Sequence, residues 1–147
     1  MEFMQKFATV GQYTFRYIDE GSGPAVVLIH GLAGDFSAWL AQIEVLRHAY
    51  RVIAFDNRGA GQSTQVDEPV STADLARDTL GLMDYLQIAK AHVVGRSMGG
   101  AVAQWRSTWR CWHRSGSCRW CCARRLRGSI RLGGACCSTC ATRLSGA

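Results

Sequence analysis

No cysteine occurs before position 111, although the 147-residue chain has seven. That excludes a disulfide framework or a thiolate metal site from residues 1–104, which read as an ordinary intracellular domain needing no such staple. The longest clean apolar run is AVVLI at 25–29, far short of the roughly 20 residues that cross a bilayer. The start, MEFMQKFATV, lacks the apolar stretch of a secretory leader. A soluble, cytoplasmic protein with no membrane partner is the expectation.

Acidic residues are absent after Asp84. Residues 1–104 hold 8 Lys and Arg against all 11 Asp and Glu, a net −3, whereas residues 105–147 hold nine Arg and no Asp, Glu or Lys, a net +9. The overall +6 is therefore a property of the last 43 residues. It gives no ground for a basic, nucleic-acid-binding face on the domain, and no nucleic-acid partner is expected of it. The last 43 residues also contain no Val, Pro, Phe, Tyr, Asn, Gln or Met, and neither helical nor strand periodicity runs through them. The composition breaks at about residue 105, and no linker marks the break.

What is present in the first part is strongly patterned. FATVGQYTFRYIDEGSG alternates around Gly11 and predicts two antiparallel strands ending in a Gly-Ser-Gly-Pro turn. AVVLI (25–29), RVIAF (51–55) and AHVVG (91–95) are continuous rather than alternating, as in parallel strands buried on both faces. Between them, Trp39, Ile43 and Leu46 share one helical face, with Trp39 expected in the core. Ser71 and Asp74 form a capping-box pattern ahead of a helix that would bury Leu75, Leu82, Met83 and Leu86. Strand–helix–strand–helix–strand is the pattern of an α/β domain with right-handed crossovers.

Three loops carry the chemistry. Gly95-Arg96-Ser97-Met98-Gly99 is G-x-S-x-G between a predicted strand and the helix-like GAVAQ. A serine on so sharp a turn needs small neighbours, and the turn lifts its hydroxyl clear of the sheet. His30-Gly31-Leu32-Ala33-Gly34 follows AVVLI, where a backbone N–H can face developing negative charge. Asp56-Asn57-Arg58-Gly59-Ala60-Gly61-Gln62-Ser63 follows RVIAF as another glycine-rich turn. All three leave carboxyl ends of predicted parallel strands, where such sheets bind ligands.

HGLAG, DNRGAGQS and GRSMGG, in this order and spacing, resemble the α/β-hydrolase family over about residues 11–104. The resemblance is to its esterase, enol-lactonase and cofactor-free haloperoxidase-like members. It implies the N-terminal half of that family's sheet: two antiparallel strands, then parallel strands with helices. It further implies Ser97 as nucleophile, the backbone N–H groups of Leu32 and Met98 as oxyanion hole, a small ester or lactone substrate, and neither cofactor nor metal. Epoxide hydrolases and dehalogenases share the DNRGAGQS type of turn but carry Asp where Ser97 stands. His30, Gly31, Asp56, Arg58, Gly59, Gly61, Gly95 and Gly99 are expected to shape the loops rather than to react, the family's base coming from near the C-terminus.

Here the pattern departs from the family, whose triad runs Ser, then Asp or Glu, then His. After Ser97 there is no Asp or Glu, and the one later histidine, His113, comes too soon. No triad acid or base is identifiable. With the family's domain usually needing some 200–250 residues, the sequence reads as a truncated hydrolase domain (1–104) followed by an Arg/Cys/Trp-rich tail (105–147) that is out of frame and disordered. The codons allow this. Trp is TGG and Cys is TGC or TGT, so one base upstream Trp120-Cys121-Cys122 becomes Leu, Val or Met, then Val, then Leu. Trp105-Arg106 and Trp109-Arg110 become Leu, Val or Met followed by Ala or Glu. The shifted reading supplies a helix after GAVAQ and then a buried strand. The competing reading takes Cys118-x2-Cys121 and Cys137-x2-Cys140 as zinc ligands, and the Arg and Trp as a nucleic-acid surface on a non-catalytic module. Seven Cys in 43 residues give about one such pair by chance, which weakens it.

Overall fold

The computed structural model describes residues 3–104 and 120–122. Strands β1 (Lys6–Val10), β2 (Tyr13–Glu20), β3 (Ala25–Ile29), β4 (Arg51–Phe55), β5 (Ala91–Gly95) and β6 (Trp120–Cys122) form one mixed sheet in the order β1-β2-β4-β3-β5-β6. β1 and β2 are an antiparallel hairpin turning at Gly11 (φ 61°), and β2 runs antiparallel to β4. From there the ladder is parallel, β4 with β3, β3 with β5, and β5 with β6. This is the sheet of an α/β-hydrolase N-terminal half.

The unbroken apolar runs have a direct cause, for each central strand is covered on both faces. Phe15, Val27, Ile29, Ile53 and Phe55 face one cluster, under helix α2 (Thr72–Tyr85) and the short helix α3 (Met98–Ala103). Ile18, Val26, Leu28, Val52 and Ala54 face the other, under a 3-10 turn (Phe36–Trp39) and helix α1 (Leu40–Leu46). Full burial of one such side chain stabilises by about 1.5–3 kcal/mol, so the two faces together account for why these strands are central. Trp39 lies in the second cluster at 6% exposure.

Helix α2 begins at a complete capping box, Ser71 taking the Asp74 N–H and Asp74 taking the Ser71 N–H. It buries Leu75, Leu82 and Met83, with Leu86 packed at the margin. In the parallel register Ile29 stands beside both Phe55 and Gly95. The loops beginning at His30, Asp56 and Arg96 therefore leave the sheet side by side. Beyond β5 the sheet continues into β6, whose backbone pairs Ala91 with Trp120 and Val93 with Cys122. Otherwise the readings of the tail, with its zinc spacing, lie outside the described residues.

Candidate active site

Ser97 sits between β5 and α3 with φ 54° and ψ −119°, a backbone conformation that an L-residue adopts only under strain. The residue is exposed, and its side chain does not cap the helix that it begins. The turn is fixed by its glycines. A Cβ at Gly95 would collide with the carbonyl of Gly99, and a Cβ at Gly99 with the carbonyls of Ile29 and His30. Closure of strand against helix thus requires glycine at both flanks, the physical content of G-x-S-x-G. At the start of the turn, the Arg96 N–H continues the ladder onto the Ile29 carbonyl at 3.1 Å.

The loop after β3 faces this turn. A Cβ on Gly31 would lie 3.2 Å from Ser97 Cβ, so a side chain there would press on the serine. Residues 31–34 close as a tight turn, Gly34 N–H to the Gly31 carbonyl at 3.3 Å, with Ala33 left-handed at φ 56°. Leu32 is 82% exposed. Among the described residues no hydrogen bond occupies the N–H of Leu32 or of Met98.

The loop after β4 holds the others. His30 is 1% exposed and accepts the Asn57 N–H on Nε2 at 2.9 Å. Its Nδ1 lies 2.7 Å from the Gly31 carbonyl, so the ring carries its proton there. Asp56, fully buried, accepts the Phe36 N–H on Oδ1 at 2.9 Å and the Gln62 N–H on Oδ2 at 2.9 Å. Gly61 (φ 51°) leaves room for that carboxylate, which a Cβ would strike. Arg58 makes a bidentate pair with Asp78 of α2 and lies 3.9 Å from the centre of the Tyr13 ring. Burial pushes the Asp78 carboxyl up against the pull of Arg58, while Arg58 is held above its usual value chiefly by that same bond.

Sequence reasoning passed over Arg16, Asp35 and Asn57. Arg16, in mid-β2, donates Nε to Asp56 Oδ2 at 2.6 Å and NH2 to Asp35 Oδ2 at 3.2 Å. Asp35 accepts from the Ser37 N–H and hydroxyl, and these bonds, ahead of Arg16, hold its carboxyl below the usual Asp value. An arginine inside an alternating strand reads as solvent-facing, and only the fold reveals the carboxylate beneath it. Beside this network Ala33, Gly34, Asp35, Ser37, Ala38 and Gly61 line an open hollow of about 430 Å³. Among the described residues no three His, Cys, Asp or Glu gather as a metal site, and no helix is long and apolar enough to cross a membrane.

A strained serine at the carboxyl edge of a half-parallel sheet, flanked by obligatory glycines, defines an α/β protein with an elbow turn. A family model described as the alpha/beta hydrolase fold matches residues 24–105, and the chain belongs to that family. It is 42% identical over 84 residues to 3-oxoadipate enol-lactonase 1 of Acinetobacter baylyi, covering 57% of this chain and 31% of that protein. It is 41% identical over 98 residues to the dihydrolipoyllysine-residue acetyltransferase component of the acetoin cleaving system of Pseudomonas putida, covering 65% of this chain and 26% of that protein. Among solved structures, the enol-lactonase from Burkholderia xenovorans superposes with a TM-score of 0.65 at 34% identity, covering 70% of this chain and 43% of that one. The chain thus spans about a quarter to a third of the length of these curated relatives.

Proposed function

We propose that residues 1–104 are the nucleophile half of a serine hydrolase acting on small carboxylic esters or lactones. Ser97, its proton taken by a general base, attacks the carbonyl carbon while the N–H groups of Leu32 and Met98 hold the oxyanion. The C–O bond to the alkoxide breaks, the alkoxide takes up that proton, and water releases the acyl group as the acid. The observation that carries this reading is the Ser97 backbone, strained and exposed on a turn that only glycine flanks permit. Strain of this kind costs of order 1–3 kcal/mol and is kept where the geometry is used. The relatives named as an enol-lactonase and an acetyltransferase component both point to chemistry at an acyl carbon.

Among the described residues no side chain is hydrogen-bonded to Ser97 as a base. His30 has both ring nitrogens engaged away from it, and no Asp or Glu follows it. Little or no turnover is expected from the 147 residues. From about residue 105 the sequence is read out of frame. Support comes from β6, which lies parallel beside β5 where the shifted codons spell Leu, Val or Met, then Val, then Leu, residues suited to a buried strand.

The test is to sequence the coding DNA through codons 100–147 and downstream, then express the shifted frame. The expected outcome is an Asp or Glu and then a His downstream, aryl-ester hydrolysis by the product, and a loss of about 10⁴-fold or more in kcat on Ser97→Ala. Hydrolysis indifferent to Ser97→Ala removes the nucleophile. A confirmed written frame removes the frameshift, and a zinc assay on the Cys-rich segment then decides for the binding module.

A further inference from the structure

We propose that Arg16 is a positioning residue for the turn that carries Leu32, a clamp joining the loops after β3 and β4. The proposal rests on the reading of the Leu32 N–H as an oxyanion donor. The exposed turn at 31–34 makes one internal backbone bond, from the Gly34 N–H, so its placement depends on its two ends. The first end is His30, gripped by the Asn57 N–H. The second is Asp35-Phe36, and there Arg16 and Asp56 act together. Asp56 takes the Phe36 N–H, Arg16 pairs with Asp56 through Nε and with Asp35 through NH2, and its guanidinium stacks 4.7 Å from the centre of the Phe36 ring. Both ends are thereby anchored to the single corner Asp56-Asn57.

The residue type follows from this arrangement. Arg16 is 6% exposed and must satisfy two carboxylates in different directions while sitting over an aromatic ring. A planar fork of donors does so, whereas an ammonium reaches only one of them at a time. A buried ion pair adds little net stability over an apolar pair of the same shape. Its effect here is to fix a direction. The Nε and NH2 bonds set the distance between the Asp56 corner and the second foot of the turn, and so where the Leu32 N–H points relative to Ser97.

The experiment measures backbone amide order parameters by NMR on the full 147-residue chain, with Leu32 as the readout. The parent should show a rigid Leu32, near 0.85, and Arg16→Gln should drop it below about 0.6. Residues of α2 should keep their values, and Arg16→Lys, which retains one carboxylate contact, should recover part of the loss. Asp35→Asn keeps the acceptor that Ser37 uses and leaves Arg16 on Asp56. It should loosen Leu32 alone, and it carries the test if Arg16→Gln does not fold. An unchanged Leu32 in Asp35→Asn and Arg16→Gln, or an equal loss of order along α2, overturns the clamp. The oxyanion reading fails on separate grounds, if ester hydrolysis by the shifted-frame protein survives Ser97→Ala, and that result leaves the Leu32 order parameters where they are.

Discussion

His30 Nε2 accepts the backbone N–H of Asn57 at 2.9 Å, and this bond ties the loop after β3 to the loop after β4. With Nδ1 directed to the Gly31 carbonyl, the ring bridges two backbones and has no nitrogen left for Ser97. Replacing His30 with Leu leaves the Asn57 N–H buried without that partner, a loss of about 1–3 kcal/mol. A lower urea midpoint with an unchanged slope is the expected result. A midpoint equal to the parent's would mean that the bridge holds nothing.

A second prediction separates adjacent glycines in one turn. Gly99→Ala places a Cβ against the carbonyls of Ile29 and His30, backbone that cannot yield without moving β3 from α3. The expected cost is about 3 kcal/mol or more. Gly100→Ala meets the Gly95 carbonyl at 3.3 Å, tight but near ordinary contact, in a helical position that favours alanine. It should stay within about 1 kcal/mol of the parent. Thermal melts of the two variants side by side check the contrast, and equal losses would contradict the packing described for the elbow.

Much of this architecture was legible in the sequence because single physical demands wrote it. Burial on both faces wrote AVVLI, RVIAF and AHVVG, whose limits coincide with β3, β4 and β5. The capping box at Ser71 and Asp74 is equally local and equally readable. Arg16, Asp35 and Asn57 escaped because their partners lie 19 to 40 residues away. Strand alternation does not register a buried cation whose counter-charge arrives from another loop. The backbone of Trp120–Cys122 also joins the sheet, although its composition carries no strand signal in the written frame.

The capping box makes a pH-dependent prediction. Asp74 is held below the usual Asp value of 3.8, first by the Ser71 hydroxyl and then by the Ser71 N–H. A lowered carboxyl value in the folded state means stability that is present above the unfolded value and lost as pH falls through the folded one. Ser71→Ala removes the cap and should cost about 1 kcal/mol near neutral pH. The deficit should narrow below pH 3.8, where the parent loses its own Asp74 contribution. Urea unfolding at pH 7 and pH 3 measures both, and a deficit that grows with acid would reverse the sign argued here.

The strain at Ser97 is itself measurable. Its φ of 54° and ψ of −119° are open to glycine without steric penalty, and the side chain is exposed, so little packing is lost with it. Relief of roughly 1–3 kcal/mol of strain is set against the added freedom of glycine in the unfolded chain, about 0.5–1 kcal/mol. Ser97→Gly should therefore leave the protein more stable, by about 1 kcal/mol, while removing the only hydroxyl on the turn. Ser97→Ala keeps the strain and should show no such gain. A raised unfolding midpoint for glycine and not for alanine would mean that the fold carries Ser97 at a cost that packing does not require, as a trade of stability for reactivity predicts. Matching midpoints for the two variants would mean that the turn is relaxed and that its conformation says nothing about chemistry.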